Sequence, residues 1–517
     1  MTLLTLKQAS QWATKYFNKK ITESNIAYLI QYGKIKKYKE NGQTSVDIED
    51  LKKYYSSFYG KRELLWKEKL GEDLNWALSF DHYKEKETTK HVHRLHPYKG
   101  KFIPQLVEYF LDSHTDNFKK TVFFKKGDIV LDPFSGSGTT LVQANELGIH
   151  SIGVDISRFN TLISEVKLLD YNFEELKKTF DYFKNILKNY PTDKKILLFE
   201  SELNHKIFEI NTQFFPIKKK DNDLIGKQKE KIVLDLYYKL IKKYNVDLII
   251  TSPKNFLDKW YLKNIRQEID FVFNEIKKIK DKKIKKIMAV ILSRTIRSCR
   301  ATTHSDLATL KTPQITPYYC YKHKKICKPL MTIKNWFYRY IDDTYIRLKE
   351  FSKIKTKAFW ATITADSRTV DIFKEVEKIN KDFYFLVKKQ KIKGIFTSPP
   401  YVGQIDYHEQ HAYAYDLFGF ERKDELEIGP LYKGQGKEAR KSYVEGISQV
   451  LINCKKYLVD NPDIFLVAND KFNLYPTIAK KSGLMIVNQF KRPVLNRTER
   501  DKSPYCEIIF HLKYDKK

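Results

Sequence analysis

Apolar stretches of strand length alternate with amphipathic helical stretches in two separate parts of the chain. In residues 127–157, GDIVLDPFSGSGTTLVQANELG and HSIGVDIS have the order strand, glycine-rich turn, helix and strand. The rhythm resumes after residue 357 with strands in AFWATIT, KGIFTSPPY and DIFLVANDKF, a helix through IAKKSG, and closing strands in LMIVNQFKRPVL and YCEIIFHLK. Because alternating strands and helices form parallel sheets, the pattern predicts an α/β, Rossmann-like sheet whose two halves lie far apart in sequence.

The stretch between these halves is lysine-rich and helical in pattern, as in KNIRQEIDFVFNEIKKIKDKKIKK, and it has no second glycine-rich fingerprint. It therefore predicts a long, mostly helical insertion within one domain. The predicted organisation is an N-terminal module over 1–60, a helical linker over 61–90, the first half of the sheet domain over 91–160, the insertion over 161–360 and the second half over 361–517.

The N-terminal module has two short helical patterns, a glycine and a basic run before Asn41-Gly42, a pair typical of a tight hairpin turn. This order predicts a small winged helix-turn-helix and resembles the DNA-binding modules of the excisionase and MerR type. In that arrangement Lys34, Lys36 and Lys37 lie near the wing and contact phosphates. The alternative is a small three-helix domain with the same spacing and no role in DNA binding.

The charge balance is strongly basic, with 95 Lys and Arg against 63 Asp and Glu and a formal net charge of +32. An extended polyanion, above all nucleic acid, is the partner that this charge predicts. The alternative is an AT-rich genome that encodes lysine at surface positions. The sequence has no apolar run of membrane-spanning length and no signal peptide, and its five cysteines fit a reducing compartment, so we expect a cytoplasmic protein.

The glycine-rich turn DPFSGSGTT (132–140) is the first motif with a chemical consequence. Gly136 and Gly138 leave room for a ligand close to the backbone, and the turn opens a helix whose N-terminal amides attract an anionic group. Asp155, at the end of the next strand, is suited to accept two ribose hydroxyls, or alternatively to cap the following helix. The turn alone predicts a nucleotide-like cofactor without identifying it.

A second motif, TSPPY (397–401), narrows the chemistry. The strand ends in a serine, two prolines stiffen the loop, and a tyrosine presents an aromatic face. The motif resembles the catalytic [DNS]-P-P-[YFW] motif of the cytosine-N4 and adenine-N6 DNA methyltransferases. The resemblance implies a class I methyltransferase sheet, S-adenosylmethionine as cofactor, and the catalytic residues Ser398, Pro399, Pro400 and Tyr401. The chain has no Pro-Cys dipeptide, which argues against C5 methylation through a cysteine nucleophile.

The same resemblance assigns a cofactor site from two parts of the chain. HPYKGKF (96–102) is similar to the motif that closes over the methionine end of the cofactor, and Asp366 in TADSR is similar to the acid that meets the adenine amino group. The predicted cofactor residues are His96, Tyr98, Lys99, Phe102, Asp132, Phe134, Gly136, Gly138, Thr139, Asp155 and Asp366. Cofactor motifs come first in this chain, and the catalytic motif follows the insertion.

Three further groups of side chains are predicted to contact nucleic acid. Asp406 and Tyr407 follow the catalytic motif in a segment rich in His and Tyr, with aromatic packing against the sheet as the alternative. In the insertion, Arg294, Arg297 and Arg300 have helical spacing, with a solvated basic helix face as the alternative. Between the last two strands, a basic loop is expected to clamp DNA, with a plain exposed turn as the alternative. Its members are Arg492, Arg497 and Arg500.

Two segments are interpreted as lacking chemistry. ITSPKNF (250–256) follows the apolar run DLII, which has the pattern of a strand, but lacks the second proline, so we interpret it as a non-catalytic turn. Cys320, His323 and Cys327 form a C-x2-H-x3-C cluster, with His304 and Cys299 as candidates for a fourth ligand. Since a second cysteine pair is missing, chance clustering is favoured over structural zinc, and we expect no metal.

These features together predict a site-specific DNA methyltransferase that modifies the N4 amino group of a flipped-out cytosine in double-stranded DNA. The insertion would recognise the target, and the enzyme would serve a bacterial restriction-modification system beside a cognate endonuclease. Adenine-N6 methylation is the first alternative. A catalytically inactive DNA-binding regulator and an RNA methyltransferase are the others.

Overall fold

The computed structural model describes residues 2–515 apart from 32, 41, 216–222, 305–311 and 496–502. Within this part of the chain, no helix is both long and apolar enough to cross a lipid bilayer.

The N-terminal unit has the order of elements that the sequence predicts. Its elements are β1 (Leu3–Thr5), α1 (Leu6–Phe17), α2 (Glu23–Gln31), β2 (Tyr38–Glu40), β3 (Gln43–Asp47), α3 (Ile48–Ser56), α4 (Phe58–Leu70) and α5 (Glu85–Thr88). β2 and β3 form an antiparallel hairpin, with Gly42 at a φ of +77° between them, and β1 pairs with β3. A capping box between Thr5 and Gln8 starts α1. The winged helix-turn-helix and its role in binding DNA both stay predictions.

The first half of the sheet domain follows a short 3-10 turn at His91–Arg94. It contains α6 (Pro104–Leu111), β4 (Ile129–Asp132), α7 (Thr139–Glu146), β5 (His150–Asp155) and α8 (Arg158–Leu168). Every residue of β4 is buried, as expected for a central parallel strand covered on both faces.

The region between the two halves is mostly helical. It contains α9 (Phe173–Lys188), α10 (Lys194–Phe214), α11 (Asp223–Tyr244), α12 (Phe256–Trp260), α13 (Lys263–Lys278), α14 (Lys282–Cys299), β6 (Tyr318–Cys320), β7 (Lys325–Cys327) and α15 (Lys334–Ser352). The prediction of a strand in DLII is wrong, because residues 247–250 belong to neither a helix nor a sheet.

The ends of this region lie beside each other. The Nζ atom of Lys355, just after α15, donates to the carbonyl oxygen of Leu168 at the end of α8, and it lies 2.5 Å from the Asp170 carboxylate. The chain therefore leaves and re-enters the sheet domain at one point.

The second half completes the domain. It contains β8 (Trp360–Thr364), α16 (Ile372–Ile379), α17 (Lys381–Gln390), β9 (Ile392–Thr397), α18 (Tyr407–Gln410), α19 (Ala412–Phe418), α20 (Lys437–Lys455), β10 (Leu458–Ala468), α21 (Tyr475–Lys481), β11 (Leu484–Pro493) and β12 (Cys506–Tyr514).

One seven-stranded sheet joins both halves in the order β11-β12-β10-β9-β4-β5-β8. The five strands from β10 to β8 are parallel, and β12 runs antiparallel to both of its neighbours. This is the Rossmann-like sheet that the sequence predicts. Since β4 lies between β5 and β9, the glycine-rich turn after β4 and the TSPPY segment after β9 meet at the same edge.

Candidate active site

A cavity, here called the first cavity, opens at the carboxyl ends of β4, β5, β8 and β9. It is lined by Tyr98, Gly100, Lys101, Phe102, Asp132, Pro133, Phe134, Ser135, Gly136, Ser137, Thr139, Asp155, Ile156, Ser157, Asn160, Ala365, Asp366, Ser367, Ser398, Pro400, Tyr407, Leu426, Glu427 and Ile428. Both sequence motifs therefore contribute to one cavity, in the position where open α/β sheets bind ligands.

The glycine-rich turn requires its glycines for two physical reasons. Gly136 and Gly138 have φ values of +47° and +75°, which side-chain-bearing residues rarely adopt. A Cβ atom on Gly136 would lie 2.9 Å from the Tyr98 hydroxyl, and one on Gly138 would lie 2.1 Å from Ser164 Oγ. The turn thus packs closely against Tyr98 and α8.

Asp155 holds this turn in place. Its Oδ2 accepts a hydrogen bond of 2.8 Å from the Gly136 amide, and its Oδ1 accepts from the Ser157 amide and the Asn160 side chain. Ser157, and not Asp155, caps α8. Burial raises the pKa of Asp155 above its usual range, although these three donors oppose the shift.

Three buried polar atoms at the first cavity lack a hydrogen-bond partner among the described residues. They are Ser135 Oγ, Ser137 Oγ and the Asn160 side-chain oxygen. Because buried polar groups are rarely left unpaired, these atoms indicate a polar ligand. Together with the glycine turn and the Asp155 carboxylate, they suit the hydroxyl and amino groups of S-adenosylmethionine.

Asp132 links the two motifs across the sheet. Its Oδ1 accepts a 2.6 Å hydrogen bond from Thr397 Oγ1 and a 3.1 Å bond from the Phe134 amide. Burial raises the pKa of Asp132 to about 6, with the hydrogen bonds from Thr397, Thr140 and Phe134 opposing the shift.

Replacement of Asp132 by Asn should change how stability depends on pH. The pKa of the Asp132 carboxyl is 3.8 in the unfolded chain and about 6 in the folded protein. The carboxyl therefore stabilises the fold fully below pH 3.8, and this stabilisation is lost as the pH rises through about 6. The difference corresponds to about 3 kcal/mol. We expect the melting temperature of wild type to fall relative to Asp132→Asn as pH rises from about 4 to about 7. If the melting temperatures of wild type and Asp132→Asn changed in parallel with pH, this prediction would be contradicted.

Ser398 lines the first cavity, and a hydrogen bond to the neighbouring strand fixes the orientation of its hydroxyl. Ser398 Oγ donates a 3.0 Å hydrogen bond to the Val467 carbonyl oxygen on β10. Since this bond uses the hydroxyl proton, the lone pairs of Oγ are left to accept hydrogen bonds from a ligand.

Pro399 and Tyr401 do not line the first cavity, and the Tyr401 hydroxyl donates a 2.8 Å hydrogen bond to Glu507 Oε1 on β12. Arg492 lies 3.6 Å from the other Glu507 oxygen. The prediction that Arg492 belongs to an exposed basic loop is wrong, because it lies in β11 and is 3% exposed. Neighbouring strands supply this pair of charges, so the fold uses Arg492 to hold Glu507. Arg497 and Arg500 lie outside the described residues.

Aromatic rings close one side of the first cavity. Tyr98 stacks on Tyr407 with ring centroids 5.7 Å apart, and on His411 at 5.8 Å. His96 is buried beneath them, where its Nδ1 contacts the Pro97 carbonyl oxygen, and it does not line the cavity. Lys99 faces a different cavity, described below.

Asp366 lines the first cavity beside Ser367, as its predicted position requires. Its carboxylate already holds the Arg368 guanidinium, with a shortest distance of 2.6 Å. The Arg368 side chain also donates to the Leu426 carbonyl oxygen, so this ion pair joins the β8 loop to the segment that covers the cavity.

A second cavity adjoins the first, with Tyr98 in the wall of both. It is lined by Pro97, Tyr98, Lys99, Pro253, Lys254, Asn255, Phe256, Lys259, Trp260, Arg297, Arg300, Gln404, Ile405, Asp406, Glu409, Gln410, His411, Tyr413 and Leu431. Arg300 lies over the Trp260 ring with its guanidinium carbon 3.7 Å from the centroid. The ITSPKNF segment, interpreted from sequence as a turn without chemistry, thus lines a basic and aromatic cavity.

Two predicted nucleic-acid contacts are wrong. Arg294 is 6% exposed, because α14 turns it toward Asp343 at 2.7 Å and over the Tyr340 ring. Lys34 forms an ion pair with the nearly buried Asp81 at 2.7 Å. Lys36 and Lys37 are exposed, and Arg297 and Asp406 line the second cavity.

No motif or spacing in the sequence indicated Glu427. This carboxylate accepts hydrogen bonds from the His408 amide and ring nitrogen and lines the first cavity. Both residues are buried, and Glu427 lies on an irregular segment with no motif around it. A single acidic residue in a loop belongs to no sequence motif or periodic pattern that could identify it.

Comparison with known proteins finds relatives of this chain. A family model described as DNA methylase, N6_N4_Mtase, matches residues 7–165. The type II methyltransferase M.MjaII of Methanocaldococcus jannaschii is 51% identical over 525 residues, covering 99% of this chain and 97% of that protein. The type II methyltransferase M.BsoBI of Geobacillus stearothermophilus is 36% identical over 136 residues, which cover 26% of this chain and 23% of that protein.

Among solved structures, the rRNA methyltransferase aviRa from Streptomyces viridochromogenes aligns at 8% identity with a TM-score of 0.29, over 84% of this chain and 94% of that chain. A TM-score this low supports no argument. The relative that is 51% identical over 99% of this chain shows its family, and the family model over residues 7–165 has the same assignment. This chain belongs to the type II DNA methyltransferases of the N4/N6 amino-methylating family.

Proposed function

We propose that this enzyme transfers a methyl group from S-adenosylmethionine to the N4 amino group of a flipped-out cytosine in double-stranded DNA. The orientation of the Ser398 hydroxyl is the main support for this proposal. Because its proton is donated to the Val467 carbonyl oxygen, Ser398 Oγ can accept hydrogen bonds at the first cavity. An exocyclic amine is a poor nucleophile, and hydrogen bonds accepted from its protons localise the nitrogen lone pair.

The first cavity would hold the cofactor through this chain's own polar groups. Asp155 keeps acceptor capacity for ribose hydroxyls on the side that faces the cavity, and the unpartnered Ser135 and Ser137 hydroxyls add donors. The half-buried Tyr98 packs against the turn at Gly136. When bound, S-adenosylmethionine supplies an activated methyl group on a sulfonium.

The catalytic motif would orient the acceptor base. Ser398 Oγ and the Pro399 carbonyl oxygen accept hydrogen bonds from the two amine protons, while the Tyr401 ring stacks on the flipped base. The Tyr401 hydroxyl is held by Glu507, which fixes the plane of the ring. The proton that the amine must lose on methylation would pass from its hydrogen bond at Ser398 Oγ to solvent. Rate enhancement then comes mainly from positioning.

Serine in the first position of the motif favours cytosine over adenine, although the same acceptors can hold either amine. The test is to methylate DNA with the purified enzyme, digest it to nucleosides and identify the modified base by mass. N4-methylcytosine is the expected product. N6-methyladenine would overturn the cytosine assignment and leave the enzyme class intact.

The second cavity is the part of the surface that best suits the DNA strand beside the flipped base. It combines Arg297, Arg300, Lys254 and Lys259 with aromatic rings, a combination that binds phosphates and stacks on bases. Arg297 has no ion-pair partner in the part of the chain that the structure describes, so its charge is available to a ligand.

Replacement of Arg297 by Ala should weaken DNA binding by roughly tenfold, because one phosphate contact is lost. The dependence of log Kd on log salt concentration should fall by about one. Arg339→Ala is the matched control, since Arg339 is exposed on α15 and lines neither cavity. Equal affinities and salt slopes for the two variants, measured by fluorescence anisotropy, would exclude Arg297 from the interface.

The remaining assignments are proposals of the same kind. We propose that the N-terminal unit contacts flanking phosphates through Lys36 and Lys37, that residues 161–360 recognise the target sequence, and that the enzyme protects DNA from a cognate endonuclease. The similarity to the type II methyltransferase M.MjaII supports this setting. Competition between DNA and RNA of equal length tests the RNA alternative, and any methylated product excludes an inactive regulator.

A further inference from the structure

Four metal-binding side chains converge on the hairpin β6–β7, away from both cavities. Cys320 ends β6, His323 lies in the turn, Cys327 ends β7, and His304 comes from the segment that follows α14. Their ligand atoms all lie within 4.8 Å of one another. Cys299, the other sequence candidate for a fourth ligand, is buried in α14 and is not part of the group.

The distances match a tetrahedral site. Cys320 Sγ lies 3.8 Å from His304 Nδ1, and Cys327 Sγ lies 3.6 Å from His323 Nδ1. In a tetrahedron with zinc–sulfur bonds of about 2.3 Å and zinc–nitrogen bonds of about 2.0–2.1 Å, neighbouring nitrogen and sulfur ligands are about 3.6 Å apart. The four side chains therefore need little movement to share one ion.

The local backbone also suits a thiolate at Cys320. The His323 amide donates to Cys320 Sγ at 3.4 Å, across a turn that Lys324 completes at a φ of +52°. An amide directed at sulfur stabilises negative charge on it. Coordination through His304 Nδ1 would replace the 2.8 Å contact that this nitrogen makes with the Tyr318 hydroxyl.

The hairpin is too small to be stable alone. β6 and β7 have three residues each and pair only with each other in the described sheets, and two-stranded hairpins are marginal in water. The two cysteines are free thiols, so no disulfide stabilises it. A metal ion would fasten the hairpin to the chain four residues beyond Arg300, which lines the second cavity.

We propose that His304, Cys320, His323 and Cys327 bind one structural Zn²⁺. Two thiolates and two imidazoles in a tetrahedral arrangement select zinc among common divalent ions. Because four protein ligands complete the coordination, the site has no open position for water or substrate, and its role is structural. Its exposed histidines give the ion a path from solvent.

The test measures metal content in the full-length protein. Protein produced with zinc in the medium should contain about one zinc per chain by elemental analysis, and Co²⁺ added to metal-free protein should give the visible absorption of tetrahedral thiolate coordination. Cys320→Ser and His323→Ala should each reduce the affinity for zinc by roughly tenfold to a hundredfold or more. His323 is exposed in a turn, so its replacement tests the site without disturbing a core.

Cys506→Ser is the matched control, since Cys506 lies in β12 outside the cluster, and it should keep full zinc content. Zinc-free wild-type protein without the cobalt spectrum would overturn the proposal, as would unchanged zinc affinity in His323→Ala. The readout is independent of methylation, so the proposal can fail while the proposed function stands.

Discussion

Ser398→Ala should lower the rate of methyl transfer on the order of 10²–10³-fold, because it removes an acceptor that is already oriented toward the reacting amine. The hydroxyl donates its proton to the Val467 carbonyl oxygen at 3.0 Å, so its oxygen acts as an acceptor toward other groups. S-adenosylmethionine affinity, measured by calorimetry, should change by less than about twofold, since alanine keeps the shape of the site.

Ser135→Ala is the matched control, and it should impair cofactor binding while leaving the rate of methyl transfer nearly unchanged. Its hydroxyl lines the first cavity without a described partner, so its loss should raise KM for S-adenosylmethionine with kcat nearly unchanged. Steady-state kinetics on both variants separate the two roles. Full activity in Ser398→Ala would remove the catalytic assignment.

Gly138→Ala should destabilise the protein by about 2–5 kcal/mol and abolish measurable cofactor binding. Two costs add: a φ of +75° is unfavourable for alanine by about 1–2 kcal/mol, and the new Cβ would overlap Ser164 Oγ at 2.1 Å, which costs about 1–3 kcal/mol more. Relief of the overlap would push the turn into the first cavity. Thermal melting and calorimetry measure the two effects.

Gly127→Ala separates these costs. Gly127 has a φ of +88°, and a Cβ there would meet no atom within 4 Å. The control variant therefore has the backbone penalty alone and should bind S-adenosylmethionine normally. If both variants lost the same stability and kept the cofactor, close packing of the turn against α8 would not be required.

The sheet and the meeting of its two motifs could be predicted because their signals are local. An apolar strand, a glycine-rich turn and an acid after the next strand specify their own geometry, and parallel strands bring the ends of β4 and β9 to one edge. Asp132 and Thr397 form a hydrogen bond although 265 positions separate them, a contact that follows once the strand order is known.

The errors concern side chains whose partners are remote in sequence. Lys34, Arg294 and Arg492 had the spacing of exposed basic residues, yet each meets an acid on another element, at Asp81, Asp343 and Glu507 respectively. Burial and pairing of a charge depend on which elements pack together. Helical or strand periodicity does not contain that information.

The contact of Lys355 with Leu168 and Asp170 has a consequence for how such enzymes diverge. The two ends of the intervening region lie side by side, and the helices between them, roughly 185 residues, share a hydrophobic core with the sheet domain. On the proposal that this region recognises the target, a chimera joined at this point that keeps the shared core should retain its methylation chemistry and acquire the sequence preference of the donor. New specificities could then arise by exchange of the cassette, with the catalytic sheet inherited unchanged.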